Sequence, residues 1–124
     1  MPAPAQVDLR DVLDRLRHRI PATQAVILVG PDRTIDSILE DTSLDLATLA
    51  QEYATLFRIA ERTSEDTGAG ILTEHILVSQ KSVMIARSVS QNHFLIVLFR
   101  SKDQVGRARY ELKQAAWEIQ TQGI

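Results

Sequence analysis

The stretch from Leu44 to Thr63 constrains the fold most, because it is long, free of glycine and proline, and apolar over about half its circumference. Ser43 precedes it with a hydroxyl suited to accept from a first-turn N–H, so we expect a helix that starts there. One continuous arc carries the apolar residues Leu46, Leu49, Ala50, Tyr53, Ala54, Leu56, Phe57 and Ala60. A surface helix needs a stripe of only about 100°. The second surface that buries this helix need not belong to the same chain.

Periodicity predicts two further helices and five strands around this segment. A first helix is capped by Asp8 and ended by Pro21, and a last helix covers 103–120. The predicted strands cover 24–30, 34–39, 71–79, 82–89 and 93–100. AVILV and FLIVLF are apolar throughout, which indicates central strands covered on both faces. The order is αββαβββα, typical of a layered α/β (α+β) domain.

Composition restricts the class of protein. The 124 residues fit one domain, which we place at 7–122 behind a flexible segment 1–6. A net charge of −2 argues against a nucleic-acid partner, and the absence of cysteine excludes thiolate chemistry and disulfides. The apolar runs are too short for membrane insertion, and the first residues lack the pattern of a signal peptide. We therefore expect a cytoplasmic protein.

The sequence contains no recognisable catalytic or metal-binding pattern. The histidines His18, His75 and His93 have no second histidine or carboxylate at a metal-ligand spacing. His75 follows Glu74 in a predicted strand, so their side chains point to opposite faces and cannot form a dyad. The segment 68–70 lacks the lysine and hydroxyl residue of a phosphate loop. We expect no enzyme, no metal and no cofactor.

Two other features each allow two interpretations. The arginines at 15, 17 and 19 alternate with acids, so a solvated helix face is a better interpretation than a phosphate-binding patch. Tyr110 and Trp117 share one flank of the last helix with Gly106. They form either an exposed partner site or, as we favour, a pair packed along the first helix where Gly106 lets it approach.

The order of elements resembles that of one known family. DVLDRLRHRIPATQAVILVGPD followed by TIDS is similar to the opening of the Roadblock / dynein light-chain family, which includes MglB-like bacterial proteins. HFLIVLF followed by DQVGRARYELKQAAWEI resembles the last strand and glycine-bearing final helix of that family. The resemblance covers about residues 7 to 120. Arg33-Thr34 departs from it, because many members have an Asp-Gly turn there, and the chain ends without the C-terminal extension of some bacterial members.

The resemblance implies a five-stranded antiparallel sheet in the order 2-1-5-4-3. The long helix would cover one face, and the first and last helices the other. Members pair through the middle helix and the neighbouring edge strand, and they regulate or scaffold small Ras-like GTPases. The homodimer interface implied here consists of Leu49, Tyr53, Leu56, Ala60, Thr73, His75 and Leu77.

A GTPase-docking surface is a further hypothesis. Ile59 stands apart from the apolar arc among polar residues, and a dimer would bring two copies together as an apolar centre with a polar rim. The candidate GTPase-binding residues are Glu52, Thr55, Arg58, Ile59 and Arg62. The predicted function is a non-catalytic homodimeric regulator or scaffold of a small Ras-like GTPase. The alternatives are a profilin- or longin-like adaptor without a GTPase partner, and an enzyme or ligand sensor that uses the sheet as a pocket floor.

Overall fold

The computed structural model describes residues 8–124, so the expected flexible segment 1–6 lies outside the described residues. The order of helices and strands is the one that the sequence predicts. The elements are α1 (Leu9–Arg19), β1 (Thr23–Val29), β2 (Thr34–Leu39), α2 (Leu46–Asp66), β3 (Glu74–Val78), β4 (Val83–Ser90), β5 (His93–Phe99) and α3 (Val105–Gln120), with a 3₁₀ turn over Lys102–Gln104.

The strands form an antiparallel sheet in the order β2-β1-β5-β4-β3, which confirms the expected topology. β1 and β5 are neighbours at its centre, in a register that places Ile27 opposite Ile96. Every residue after the first in either strand is buried. This is the burial that a continuous apolar run predicts for a strand covered on both faces.

Each face of the sheet has its own core, in the expected arrangement of helices. α1 and α3 cover one face, where Leu13 and Leu112 pack against strand residues such as Leu95. α2 covers the other face, where Phe57 and Ala54 pack over the central strands. The long helix therefore lies alone on its side of the sheet, with open space on both of its flanks.

The cap of α2 differs from the prediction. The helix begins at Leu46, and its N-cap is Asp45 instead of Ser43. The Asp45 carboxylate accepts from the N–H of Ala47 at 3.1 Å and from the Thr48 hydroxyl at 2.9 Å, and these bonds lower the pKa of Asp45. The Ser43 hydroxyl instead donates to Asp41 at 2.5 Å. Because the helix begins at Leu46, the N-cap position falls on Asp45, and Ser43 lies too far upstream to cap the first turn.

Two other element boundaries differ from the predicted ones by a few residues. β3 begins at Glu74 instead of residue 71, because the chain leaves α2 through Gly68 and Gly70, whose φ values of +80° and +93° are left-handed. α3 begins at Val105, after the 3₁₀ turn, instead of at Asp103. In the part of the chain from residue 8 onward, no helix is long and apolar enough to cross a membrane.

Candidate interaction surface

α2 is held on the sheet by a narrow stripe of its circumference. Phe57 is 1% exposed and stacks on Phe94 of β5, with ring centroids 4.4 Å apart. Ala54 is the other buried residue of this helix. The sheet therefore buries a much narrower stripe of α2 than the apolar arc of the helix.

The rest of the apolar arc forms one flank of α2, defined by Leu49, Tyr53, Leu56 and Ala60. All four side chains are only half-buried. The first three contact the margin of the core under α2, and partial burial raises the pKa of the Tyr53 hydroxyl. This apolar flank is the part of the predicted dimer interface that α2 carries.

Of the remaining predicted interface residues, His75 and Leu77 lie on β3 and Thr73 directly precedes it, all on the α2 side of the sheet. His75 pairs with Ala86 and Leu77 with Met84, both of which belong to the core under α2. The side chain of Thr73 points to the same face as those of His75 and Leu77, because side chains along an extended chain alternate between the two faces. All seven predicted residues therefore share one side of the protomer.

β3 ends the sheet, and its outer edge is bare. The N–H of Ser88 donates to the carbonyl of Thr73 at 3.0 Å, and the N–H of Ser79 donates to the carbonyl of Ser82 at 2.8 Å. Because bonded positions alternate along an antiparallel pair, the odd-numbered residues of β3 face β4. The backbone groups of Glu74, Ile76 and Val78 therefore point outward, where no strand within residues 8–124 accepts from or donates to them.

The opposite edge of the sheet, by contrast, is occupied at its middle by a side chain of the same protomer. Arg10 of α1 reaches over β2, donating to the Ser37 carbonyl at 2.6 Å and to the Asp36 carboxylate at 2.9 Å. A side chain that occupies edge groups blocks a second chain from pairing there. On β3 the edge carries instead the exposed apolar side chains of Leu77 and Val78, the second of them 62% exposed.

The side chain of His75, beside this edge, has a buried polar atom without a hydrogen-bond partner. Its Nδ1 atom is the buried side-chain polar atom, among residues 8–124, that has no hydrogen-bond partner. Buried polar atoms without a partner are rare in folded proteins and need an explanation. Because this atom is already buried within one protomer, a second chain could bond to it only if the His75 side chain turned.

The predicted GTPase-binding residues divide into two groups. Glu52, Thr55, Ile59 and Arg62 are exposed on the outer face of α2, and Ile59 is 57% exposed. Arg58 instead bends toward the sheet, donating to the carbonyls of Gly30 and Pro31 at 3.2 and 3.1 Å.

The guanidinium carbon of Arg58 lies 5.8 Å from the centre of the Phe94 ring, within the range of a cation–π contact. Its hydrogen bonds fasten the β1–β2 turn to α2. Arg58 therefore already holds the β1–β2 turn against α2 within one protomer. The other four candidates lie on the outer face of α2 instead.

An open groove of about 370 Å³ lies between α2 and the β1–β2 turn. Six of its ten lining residues have polar side chains, among them Asp32, Arg33 and Gln51. A ligand sensor needs a largely apolar pocket with a few convergent polar groups. This groove lacks such a largely apolar lining, so it does not fit a ligand sensor.

The histidines lie apart from one another. His18 is 3.4 Å from Asp14 on α1, and the Nδ1 atom of His93 lies 3.1 Å from the Ser90 hydroxyl. Within residues 8–124, no three His, Cys, Asp or Glu side chains come close enough to hold a metal ion.

The basic cluster of α1 is neutralised by neighbouring acids. Arg15 pairs with Glu118 at 2.8 Å, and Arg19 reaches Glu111 at 3.4 Å. Arg17 contacts acids on both α1 and the loop after β2. A phosphate-binding patch needs a surplus of positive charge, so these pairs favour the interpretation as a solvated face.

The expected packing of Tyr110 and Trp117 along α1 is wrong. Their exposed fractions are 61% and 63%, and a Cβ added to Gly106 would meet nothing within 4 Å. α1 contacts the other flank of α3, through the ion pairs of Glu111 and Glu118. The aromatic flank is open to solvent.

Comparison with known proteins identifies the fold. No family model and no curated protein matches the sequence. MglB from Myxococcus xanthus superposes with a TM-score of 0.83 at 21% identity, over 98% of this chain and 91% of that one. MglC from the same organism gives a TM-score of 0.65 at 25% identity, over 92% and 98%. A Roadblock/LC7 domain from Streptomyces avermitilis gives 0.78 at 16% identity, over 94% and 98%.

These likenesses extend over nearly the whole length of both chains in each comparison. They agree with the sheet order, the single helix on one face and the two helices on the other. The chain therefore has the fold of MglB and of Roadblock/LC7 domains.

Proposed function

We propose that this protein is a non-catalytic homodimer that binds a small Ras-like GTPase and regulates or tethers it. The observation that carries the proposal is the bare, apolar edge of β3 beside the uncovered apolar flank of α2. Soluble monomers rarely expose contiguous apolar surface of this kind.

A two-fold axis beside β3 would cover both the bare edge of β3 and the apolar flank of α2 in a single dimer contact. Two antiparallel β3 strands would exchange hydrogen bonds through their outward groups and extend the sheet from five strands to ten. The same axis would bring the two α2 helices side by side, where each apolar flank covers the other. A similar structure, described as MglB with a tetrameric arrangement, is itself an assembly.

The GTPase partner is what the resemblance to Roadblock proteins implies, and the outer face of α2 is a suitable surface. Paired α2 helices would present two Ile59 side chains close together, ringed by Glu52 and Arg62. Interfaces commonly have such an apolar centre and polar rim. A GTPase whose switch segments change with the nucleotide would then bind in one nucleotide state better than in the other.

Ile59→Asp tests the docking face. Burying a whole isoleucine is worth about 1.5–3 kcal/mol, and 57% of this one is exposed, so the loss should be about 1–1.5 kcal/mol. We expect binding about tenfold weaker with an unchanged dimer. The measurement is biolayer interferometry against the purified small GTPases of the same genome, each loaded with GDP or with a non-hydrolysable GTP analogue.

Ile35→Asp is the matched control, because Ile35 is also exposed but lies on β2 at the other edge of the sheet. It should bind like the wild type. If Ile59→Asp binds as tightly as the wild type, the GTPase docks elsewhere. If the dimer binds no GTPase at all, the adaptor function replaces the regulator.

A further inference from the structure

The outer face of α3 carries the second large exposed apolar feature of the protein. We define the aromatic face as Gly106, Arg107, Tyr110, Lys113 and Trp117, which all lie on the side of α3 away from the sheet. Both rings are more than half exposed, and beside Gly106 there is open space. The face is therefore a row that runs from the open position of Gly106 past Tyr110 to Trp117.

This face has a surplus of positive charge. Arg107 and Lys113 form no ion pair with any residue of the described chain 8–124, whereas the acids of the same helix, Glu111 and Glu118, turn toward α1 and pair with its arginines. Two cations thus flank the aromatic rings without a local counterion. The complementary ligand is acidic.

Packing within the protomer does not require these residues on the aromatic face. The buried stripe of α3 consists of Ala108, Leu112, Ala115, Ala116 and Ile119, none of which belongs to the aromatic face. Gly106 lies in the first turn of α3, and no neighbour there needs its small size. Tyrosine, tryptophan and arginine are also the residues most enriched at the centres of protein interfaces.

We propose that the aromatic face of α3 docks an acidic, amphipathic peptide segment of a partner protein. Its apolar side chains would contact Tyr110 and Trp117 and approach closely at Gly106, while its carboxylates pair with Arg107 and Lys113. A second copy of this chain fits less well, because a two-fold contact would bring the cations of both copies together. The site lies on the opposite side of the sheet from α2, so it is independent of the proposed GTPase surface.

Peptide selection is the first part of the test. The face from Gly106 to Trp117 is about 17 Å long, which a helix of about 12 residues would match. A phage library of such peptides is selected on the wild-type protein after depletion on the Tyr110→Ala/Trp117→Ala double variant. We expect the enriched sequences to be acidic, with apolar residues at helical spacing. Enrichment of basic or uncharged sequences, or no enrichment over the double variant, would overturn the proposal.

Fluorescence titration is the second part, and the chain is well suited to it because Trp117 is its only tryptophan. The most enriched peptide, made without tryptophan, should shift the Trp117 emission to shorter wavelength in a saturable way. Peptide affinity, followed by anisotropy of a labelled copy, should fall about tenfold or more in Trp117→Ala and in Arg107→Glu/Lys113→Glu. Lys81→Glu, a charge reversal at an exposed position in the turn between β3 and β4, is the control and should bind normally.

Two other emission shifts would contradict the proposal. A shift that appears with protein concentration alone assigns the face to a second copy of the chain. A shift with vesicles rich in anionic lipid, without any shift by the peptide, assigns it to a membrane surface. Unchanged peptide affinity in both variants would show that the peptide binds elsewhere.

Discussion

A proline at Val78 tests the proposed β3–β3 pairing directly. The Val78 backbone points away from β4, and its side chain is 62% exposed, so Val78→Pro removes no hydrogen bond from the protomer. In a two-fold dimer it removes one donor from each chain. The substitution should therefore weaken the dimer and spare the fold.

The size of the effect follows from the two lost bonds. Each leaves a carbonyl of the other chain without its partner, at about 1–2 kcal/mol for a group near the surface, so two copies amount to about 2–4 kcal/mol. At 1.4 kcal/mol per factor of ten, the dimer should dissociate about 30 to 1000 times more readily. Sedimentation equilibrium over about 1–100 μM protein would resolve that change.

Two matched variants separate pairing from side-chain effects. Val78→Thr keeps the branched side chain and the N–H, so its dimer should be as stable as that of the wild type. Leu77→Pro removes a donor that faces β4, so it should lower the melting temperature of the protomer itself. The reasoning is refuted if Val78→Pro dimerises like the wild type, or if the wild type is a single 13.9 kDa species at all these concentrations.

Three further predictions concern chemistry and stability. The isolated protein should bind neither GTP nor GDP, because it lacks a phosphate loop and its lysine, and micromolar binding in a calorimetric titration would contradict this. Phe57→Ala should cost about 3–5 kcal/mol of unfolding free energy in urea denaturation, since Phe57 is fully buried against Phe94, and a loss below about 1 kcal/mol would show that the helix is held otherwise. The pKa values of Asp14 and Asp41 lie below 3.8 because of bonds from Arg17 and Ser43, so both carboxylates stabilise the fold above pH 3.8. That contribution should disappear as the pH falls through their folded-state pKa values, and a melting temperature that rises below pH 3.8 would contradict the sign.

The arrangement of the fold was predictable because its signals are strong and local. AVILV and FLIVLF are buried on both faces, and this pattern placed β1 and β5 at the centre of the sheet. The width of the apolar arc on α2 likewise predicted that the sheet alone would not cover it. Whether a second chain covers the remainder stays a prediction.

What could not be predicted depends on contacts between elements distant in sequence. A helical wheel shows that Tyr110 and Trp117 share a flank with Gly106, but not which flank of α3 the first helix covers. In the structure the first helix lies on the flank of Glu111 and Glu118, which pair with Arg19 and Arg15. Arg58 is a similar case, since its long side chain reaches the Gly30 and Pro31 carbonyls, which are far from it in sequence.

The three surfaces of the protein divide between the two sides of the sheet, and this has a consequence for how partners combine. The proposed dimer contact and the outer face of α2 lie on one side, and the aromatic face of α3 lies on the other. A GTPase on the paired α2 helices would leave both α3 faces free, one on each protomer. Two ligands that contact opposite sides of a rigid sheet do not compete for space. If both proposals hold, the dimer would be able to bind a GTPase and acidic segments of another protein at the same time, which is the behaviour of a scaffold.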